Sequence, residues 1–135
     1  MAGYSGTPLA KKLGFKEGSR VRTTKAPDGY LRLVAPVPGN VTISASIRAR
    51  IDIWHLFTTS AAELREQLPA IMKVIHPDGM IWVSWPKKSS RVSTDVTEDT
   101  IRTVALPLGL VDVKVCAVDD TWSGLKLVVR KELRR

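Results

Sequence analysis

The side chains best suited to bind a small molecule lie in three short segments, each of which follows a predicted strand. Aromatic walls with a few charges are typical of small-molecule pockets. Because the carboxyl ends of parallel strands meet at one edge of a sheet, we expect these side chains and segment 58–60 to line one ligand cleft. In the competing interpretation, the tryptophans cap the core and the lysines are solvated. The candidate cleft residues are Lys25, Asp28, Tyr30, Trp85, Lys87, Lys88, Asp119 and Trp122.

The remaining reactive side chains favour structural roles, so no catalytic residue is assigned. His55 lies within an apolar strand and is interpreted as structural, and no cysteine pair or second histidine at ligand spacing predicts a metal site. His76 is expected at a helix C-terminus, where its charge is favourable. Cys116 is the single cysteine and is expected to be a small core residue rather than a reactive thiol. Asp119 and Asp120 are adjacent, which is typical of a turn.

The chain has a formal net charge of +8, and the excess is concentrated at its two ends and in one loop. Residues 1–25 and 126–135 have net charges of +5 and +4, and the loop 87–91 contributes a further +3. Such a balance favours contact with phosphate groups, nucleic acid or acidic proteins. The loop 87–91 could contact phosphates while Trp85 stacks on a base, although a solvated loop explains the same residues.

Length and composition predict one globular domain. The chain has 135 residues, of which 44% are hydrophobic and 25% charged, as in ordinary soluble domains. A lone cysteine excludes an internal disulfide framework. No apolar run approaches the roughly 18 residues of a membrane span, and the N-terminus lacks a signal-peptide pattern. We expect a single cytoplasmic domain over 1–135, with an extended arm at 1–8; its oligomeric state stays open.

The elements that must position these residues alternate along the second half of the chain. From residue 51 the order is strand, helix, strand, helix, strand, hairpin, strand, which predicts a mostly parallel α/β sheet with an antiparallel C-terminal hairpin. Ser60 and Glu63 have capping-box spacing, and Thr94 or Asp95 is expected to cap the next helix. The predicted strands are 19–25, 41–44, 51–57, 80–85, 111–118 and 125–130, of which 41–44 is either a parallel strand or a short edge piece.

Residues 51–131 resemble the C-terminal half of the class I methyltransferase fold. The turn Pro77-Asp78-Gly79 stands before a strand where those enzymes have a Pro-Gly-Gly-like turn, and Gly109-Leu110 resembles the step before their closing hairpin. Residues 9–21 resemble the helix and turn that lead into the first strand of such enzymes. The resemblance implies a three-layer, Rossmann-like fold.

The same resemblance shows what the sequence lacks. Class I methyltransferases bind S-adenosylmethionine through a G-x-G-x-G-like loop after the first strand and an acidic residue that ends the second. Here segment 23–30 has one glycine, and segment 41–44 has no acid. Only six residues separate Ser44 from Ile51, whereas a parallel crossover usually needs a dozen or more. We therefore predict that the middle strand–helix unit is deleted, that S-adenosylmethionine binding is lost, and that no other cofactor replaces it.

The whole chain is also similar to a small bacterial family known only as a domain of unknown function. The similarity is in the opening GYSGTPLAKKLG, in WVSWPKK and in LVDVKVCAVDDTWSGLKLVVRKE. Three hypotheses follow. We favour a non-enzymatic binding module for a small molecule or a protein partner. The alternatives are an enzyme with an atypical ligand in the same cleft and a nucleic-acid-associated basic protein.

Overall fold

The computed structural model describes residues 7–134, so most of the predicted arm at 1–8 lies outside the described residues. The helices are α1 (Leu9–Lys12), α2 (Tyr30–Val34), α3 (Ala61–Val74) and α4 (Glu98–Leu108). The strands are β1 (Arg20–Thr24), β2 (Thr42–Ser44), β3 (Ile51–Phe57), β4 (Ile75–Pro86), β5 (Leu110–Ala117) and β6 (Trp122–Val129). Among residues 7–134, none of the helices has both the length and the apolar composition that a membrane crossing requires.

The strands form one sheet in the order β2-β1-β3-β4-β6-β5. The first four strands pair in parallel, whereas β6 is antiparallel to both β4 and β5. The central strand β3 is buried at every position except Asp52, because helices cover both faces of the sheet at this point. The predicted fold class, a mostly parallel Rossmann-like sheet with an antiparallel C-terminal hairpin, is confirmed.

Two hydrophobic cores lie on opposite faces of the sheet. On the face covered by α3 and α4, Leu64, Leu68 and Ile101 belong to the same buried cluster as Leu56 and Val83 of the strands. We call this the α3–α4 face, and the other the α1–α2 face. The core of the α1–α2 face includes Ala10, Leu13, Tyr30, Val34, Ile53, Phe57, Trp82 and Val118.

The connection from β2 to β3 is a loop of six residues, 45–50, that takes the place of the predicted missing unit. It must pass β1, which lies between the two strands it joins. Arg22 Nη1 donates to the Ile47 carbonyl at 2.9 Å, and Arg20 Nε donates to the Ala49 carbonyl at 3.1 Å. Ile47 is itself part of the α3–α4 core. The middle strand–helix unit is therefore absent, and β2 is a three-residue parallel strand at the sheet edge.

The predicted start of α4 is wrong by two to three residues. Thr97 caps the helix and forms a capping box with Thr100. Asp95 instead accepts the Ala61 amide at 2.7 Å, and the Thr94 hydroxyl donates to the Thr59 carbonyl at 2.8 Å. Since Thr and Asp are both good caps, the local sequence allowed several starts, and contacts with the beginning of α3 selected among them.

His76 does not lie at a helix C-terminus as predicted, because β4 begins at Ile75 and pairs there with Ile51 of β3. His76 is exposed, and its Nδ1 accepts the Asp78 amide at 3.0 Å. A Cβ on Gly79 would stand 2.6 Å from the Asp52 carbonyl oxygen. The glycine therefore permits a close approach between neighbouring strands.

Candidate functional site

A cavity next to the carboxyl ends of the parallel strands lies beyond β1 and β2. Its volume is about 670 Å³. Gly29 has a φ of 82° and precedes the first residue of α2, so the chain turns sharply from β1 into this helix. The residues around the cavity are Thr23, Ala26, Pro27, Gly29, Tyr30, Leu31, Arg32, Ile43, Ser44 and Ala45.

Among residues 7–134, the lining of this cavity contains one charged side chain, that of Arg32, and no carboxylate. Two further charged residues lie in the loop between β1 and α2. Lys25 forms an ion pair with Glu63 of α3, and Asp28 is exposed outside the lining. The hydrogen bond from Lys25 lowers the pKa of the Glu63 carboxyl. The predicted capping role of the preceding Ser60 is confirmed, because its side chain accepts the Glu63 amide at 3.1 Å.

Beneath the cavity, three polar side chains form a buried hydrogen-bonded chain. The Tyr30 hydroxyl lies 2.8 Å from His55 Nδ1, and His55 Nε2 lies 2.7 Å from Ser84 Oγ. His55 also stacks on Phe57, with ring centroids 4.2 Å apart. Burial lowers the pKa of His55 to about 3 and raises the pKa of Tyr30, so both side chains are uncharged at neutral pH. These contacts match the predicted structural histidine.

Of the predicted cleft residues, Tyr30 alone lines the cavity in the part of the chain that the structure describes. The hairpin and the segment after β4 do come together, because the Lys87 amide donates to the Thr121 carbonyl at 2.8 Å. Asp119 accepts the amides of Thr121 and Trp122, which confirms the predicted turn. Trp122 packs edge-on against Phe57, with centroids 5.1 Å apart.

The other predicted cleft residues do not converge on the cavity beside Tyr30. Trp85 packs against the core of the α3–α4 face, whereas Trp122 belongs to the α1–α2 face. Lys88 is exposed in a short 3-10 turn. The continuous apolar run of β4 predicts a strand but does not show which face each of its side chains occupies. The expected single cleft is therefore divided between the cavity beyond β1 and β2, which we call the β1–β2 cavity, and the hairpin end of the sheet.

Sequence reasoning missed the β2 wall of the cavity, where Ile43, Ser44 and Ala45 lie. It also missed the pairing of His55 with Ser84, which depends on the β3–β4 register and leaves no spacing signal. Cys116 is half-buried in β5 rather than fully in the core, and burial raises the pKa of its thiol. Within residues 7–134, no three His, Cys, Asp or Glu side chains are placed to hold a metal ion.

Comparison with known protein families shows which family the chain belongs to. The model of a family described as a protein of unknown function, DUF3052, matches residues 43–131. The chain belongs to this family. Among proteins with curated functions, none matches its sequence.

Solved structures show that this DUF3052 chain has a Rossmann-like methyltransferase fold. The Methanococcus jannaschii fibrillarin pre-rRNA processing protein is 12% identical at a TM-score of 0.59, over 96% of this chain and 72% of that one. Aeropyrum pernix fibrillarin with natively bound S-adenosyl-L-methionine is 14% identical at a TM-score of 0.57, over 94% and 71%. The chain spans 58% of a ribosomal protein L11 methylase from Lactobacillus delbrueckii subsp. bulgaricus, with 83% of its own length, at 10% identity and a TM-score of 0.49.

Proposed function

We propose that this protein is a non-catalytic binding module with a methyltransferase-like fold that does not bind S-adenosylmethionine. The observation that carries the proposal is the lining of the β1–β2 cavity, to which the described part of the chain contributes one cation, Arg32, and no carboxylate. We also propose that residues 1–135 form one truncated domain and that the protein works in the cytoplasm.

The residues present do not suit S-adenosylmethionine. That molecule has a sulfonium cation, an ammonium group and a ribose diol, each of which a carboxylate can hold, and one carboxylate of its own. Here β2 ends at Ser44, and the one charged group of the lining is cationic. Pro27 has no amide hydrogen to donate, and Gly29 is the single glycine between β1 and α2. The bound cofactor of Aeropyrum pernix fibrillarin is a property of that protein, with which this chain shares a fold.

The cavity nonetheless suits a different small molecule. Its volume of about 670 Å³ lies within the usual range for ligand sites. Hydrophobic groups, three hydroxyls and a guanidinium favour a neutral or anionic ligand over a cationic one.

The buried hydrogen-bonded chain favours binding over catalysis. Ser84 has no exposed surface, so its hydroxyl does not reach a molecule in the cavity. Tyr30 does line the cavity, but its raised pKa keeps it protonated at neutral pH, and His55 is neutral behind it. This is a poor arrangement for activating a nucleophile.

Calorimetry separates the binding module from a methyltransferase. The intact protein is titrated with S-adenosylmethionine and S-adenosylhomocysteine, and then with nucleotides and carboxylic acids. We expect no heat from the first two compounds at millimolar concentration. Saturable micromolar binding of either compound would overturn the proposal.

A cavity-filling variant localises any ligand that does bind. Ala45→Trp places an indole in the cavity wall, whereas Ala62→Trp adds the same group at an exposed position of α3. We expect Ala45→Trp to abolish binding and Ala62→Trp to preserve it. A ligand that binds both variants equally would have its site elsewhere on the protein.

A further inference from the structure

Among residues 7–134 the two helical layers are unequal, and the thinner layer leaves part of the sheet open. On the α3–α4 face the helices are 14 and 11 residues long. On the α1–α2 face they are four and five residues long. The open region of the α1–α2 face, which we call the lysine face, is formed by one side of β5 and β6 and by α1 with the segment that follows it as far as Lys16. Its lysines are Lys11, Lys12, Lys16, Lys114 and Lys126.

Strand pairing brings these charges together. Lys114 of β5 lies directly opposite Lys126 of β6, and Lys126 lies opposite Trp82 of β4. Lys114 Nζ stands 6.0 Å from the centroid of the Trp82 ring. Beside this pair, a cavity of about 540 Å³ is lined by Lys11, Lys12 and Lys114, together with Thr7 and residues 115–117. Four of these lysines, Lys11, Lys12, Lys114 and Lys126, therefore lie close together on this face.

This arrangement costs stability in the isolated protein. Like charges directly opposite each other on antiparallel strands repel. Within residues 7–134, Lys114 and Lys126 have no ion-pair partner, while the acids Glu63 and Asp112 are paired with cations on the other face of the sheet. Burial, Lys114 and Lys16 together lower the pKa of the Lys126 ammonium, as expected when cations crowd without a counter-charge. A polyanion would supply a negative charge for the Lys114 and Lys126 pair.

We propose that the lysine face binds the phosphate backbone of a nucleic-acid duplex. Lysine is a point charge that suits phosphate, whereas bidentate recognition of base edges is typical of arginine. Trp82, the aromatic residue at the centre of the face, has no exposed surface and so offers no platform for stacking an unpaired base. The contact is therefore with phosphates and is independent of base sequence. This surface is separate from the β1–β2 cavity, so either proposal can fail alone.

Salt-dependent binding of a short DNA duplex tests this proposal. The variant Lys114→Gln/Lys126→Gln removes two charges and keeps side chains of similar length. Since each phosphate contact contributes about 0.9 to the slope of log K against log salt, we expect this variant to flatten the slope by about 1.8. Thermal unfolding of the variant, which loses a like-charge pair, checks that it is folded.

The matched control is Lys87→Gln/Lys88→Gln, which removes the same charge from the loop after β4. We expect this control to leave the slope within about 0.5 of the unmodified protein. Three results would overturn the proposal: no duplex binding at about 50 mM salt, an equal loss of slope in both variants, or tighter binding to polyglutamate than to DNA. An RNA duplex that binds with the same lysine dependence supports the same phosphate contact.

Discussion

Tyr30, His55 and Ser84 give the interior a polar chain in which each side chain has a partner. His55 has no exposed surface, and both of its ring nitrogens are hydrogen-bonded. Leaving a buried polar group without a partner costs on the order of 1–3 kcal/mol, so the three residues depend on one another. Because burial lowers the pKa of His55 to about 3, the folded protein does not protonate it in mild acid.

The first prediction follows from that pKa. Unfolding exposes His55 and returns its pKa to about 6.5, so between pH 6.5 and about 3 the unfolded state binds the extra proton. His55 therefore stabilises the fold fully above pH 6.5, and its contribution falls by about 1.4 kcal/mol per pH unit below that value. Urea unfolding from pH 7 to pH 4 measures the slope. His55→Gln, which can still form hydrogen bonds, should remove this share; an unchanged slope would contradict the assignment.

The second prediction concerns Lys126. Neutralising it in Lys126→Gln removes the repulsion with Lys114, so we expect the free energy of unfolding to rise by about 0.2–1 kcal/mol at pH 7. The gain should shrink in high salt, which screens the repulsion. In the unmodified protein, raising the pH above the lowered pKa of Lys126 should relieve the same penalty. Lys88→Gln, at an exposed position, serves as the control, and an equal gain there would contradict the pairing.

Individual residues were predictable where the signal was local. The Ser60 cap and the Asp119 turn depend on neighbours in sequence, and both are confirmed. The face of Trp85 was not predictable, because β4 is buried on both sides near Trp85 and has no alternation to reveal it. The partner of His55 lies 29 residues away in Ser84, so it becomes evident only once β3 and β4 are in register.

At the scale of elements, β1 compensates for the missing middle unit. Arg20 and Arg22 lie two positions apart, on the same side of the strand, and both donate to carbonyls of loop 45–50. The Arg22 guanidinium also stands 4.5 Å from the centroid of Trp54. The loop thus satisfies its backbone through side chains where a longer connection would use helical hydrogen bonds. The short crossover was predictable from the number of residues between Ser44 and Ile51, but the arginine hydrogen bonds that hold it were not.

The third prediction tests this support. Arg22→Met keeps much of the side-chain volume and removes the bond to Ile47, so we expect a loss of about 1–3 kcal/mol in the free energy of unfolding. Hydrogen exchange should become faster in loop 45–50 before it does in β4. Arg20→Met is the comparison, because the bond from Arg20 to Ala49 is exposed and should contribute less. Equal losses in the two variants would contradict the role assigned to Arg22.

At the scale of the whole molecule, the sheet is mostly parallel with an antiparallel C-terminal hairpin, as predicted, while its two ends offer different surfaces. The β2 end has the cavity with Arg32, and the β5 end has the lysine face. The order of elements predicted the architecture because alternation of strands and helices allows few topologies. It did not predict the lysine face, since Lys114 and Lys126 become neighbours only through the β5–β6 pairing.

The proposed loss of S-adenosylmethionine binding is tested most directly by an NMR titration of the isotope-labelled protein with that cofactor. Amide signals of Gly29, Tyr30 and Ser44 report on the cavity at the carboxyl ends of β1 and β2. We predict that these signals stay in place up to millimolar cofactor. Saturable shifts confined to these amides, reproduced by S-adenosylhomocysteine, would show that the cofactor site survives and would contradict the account.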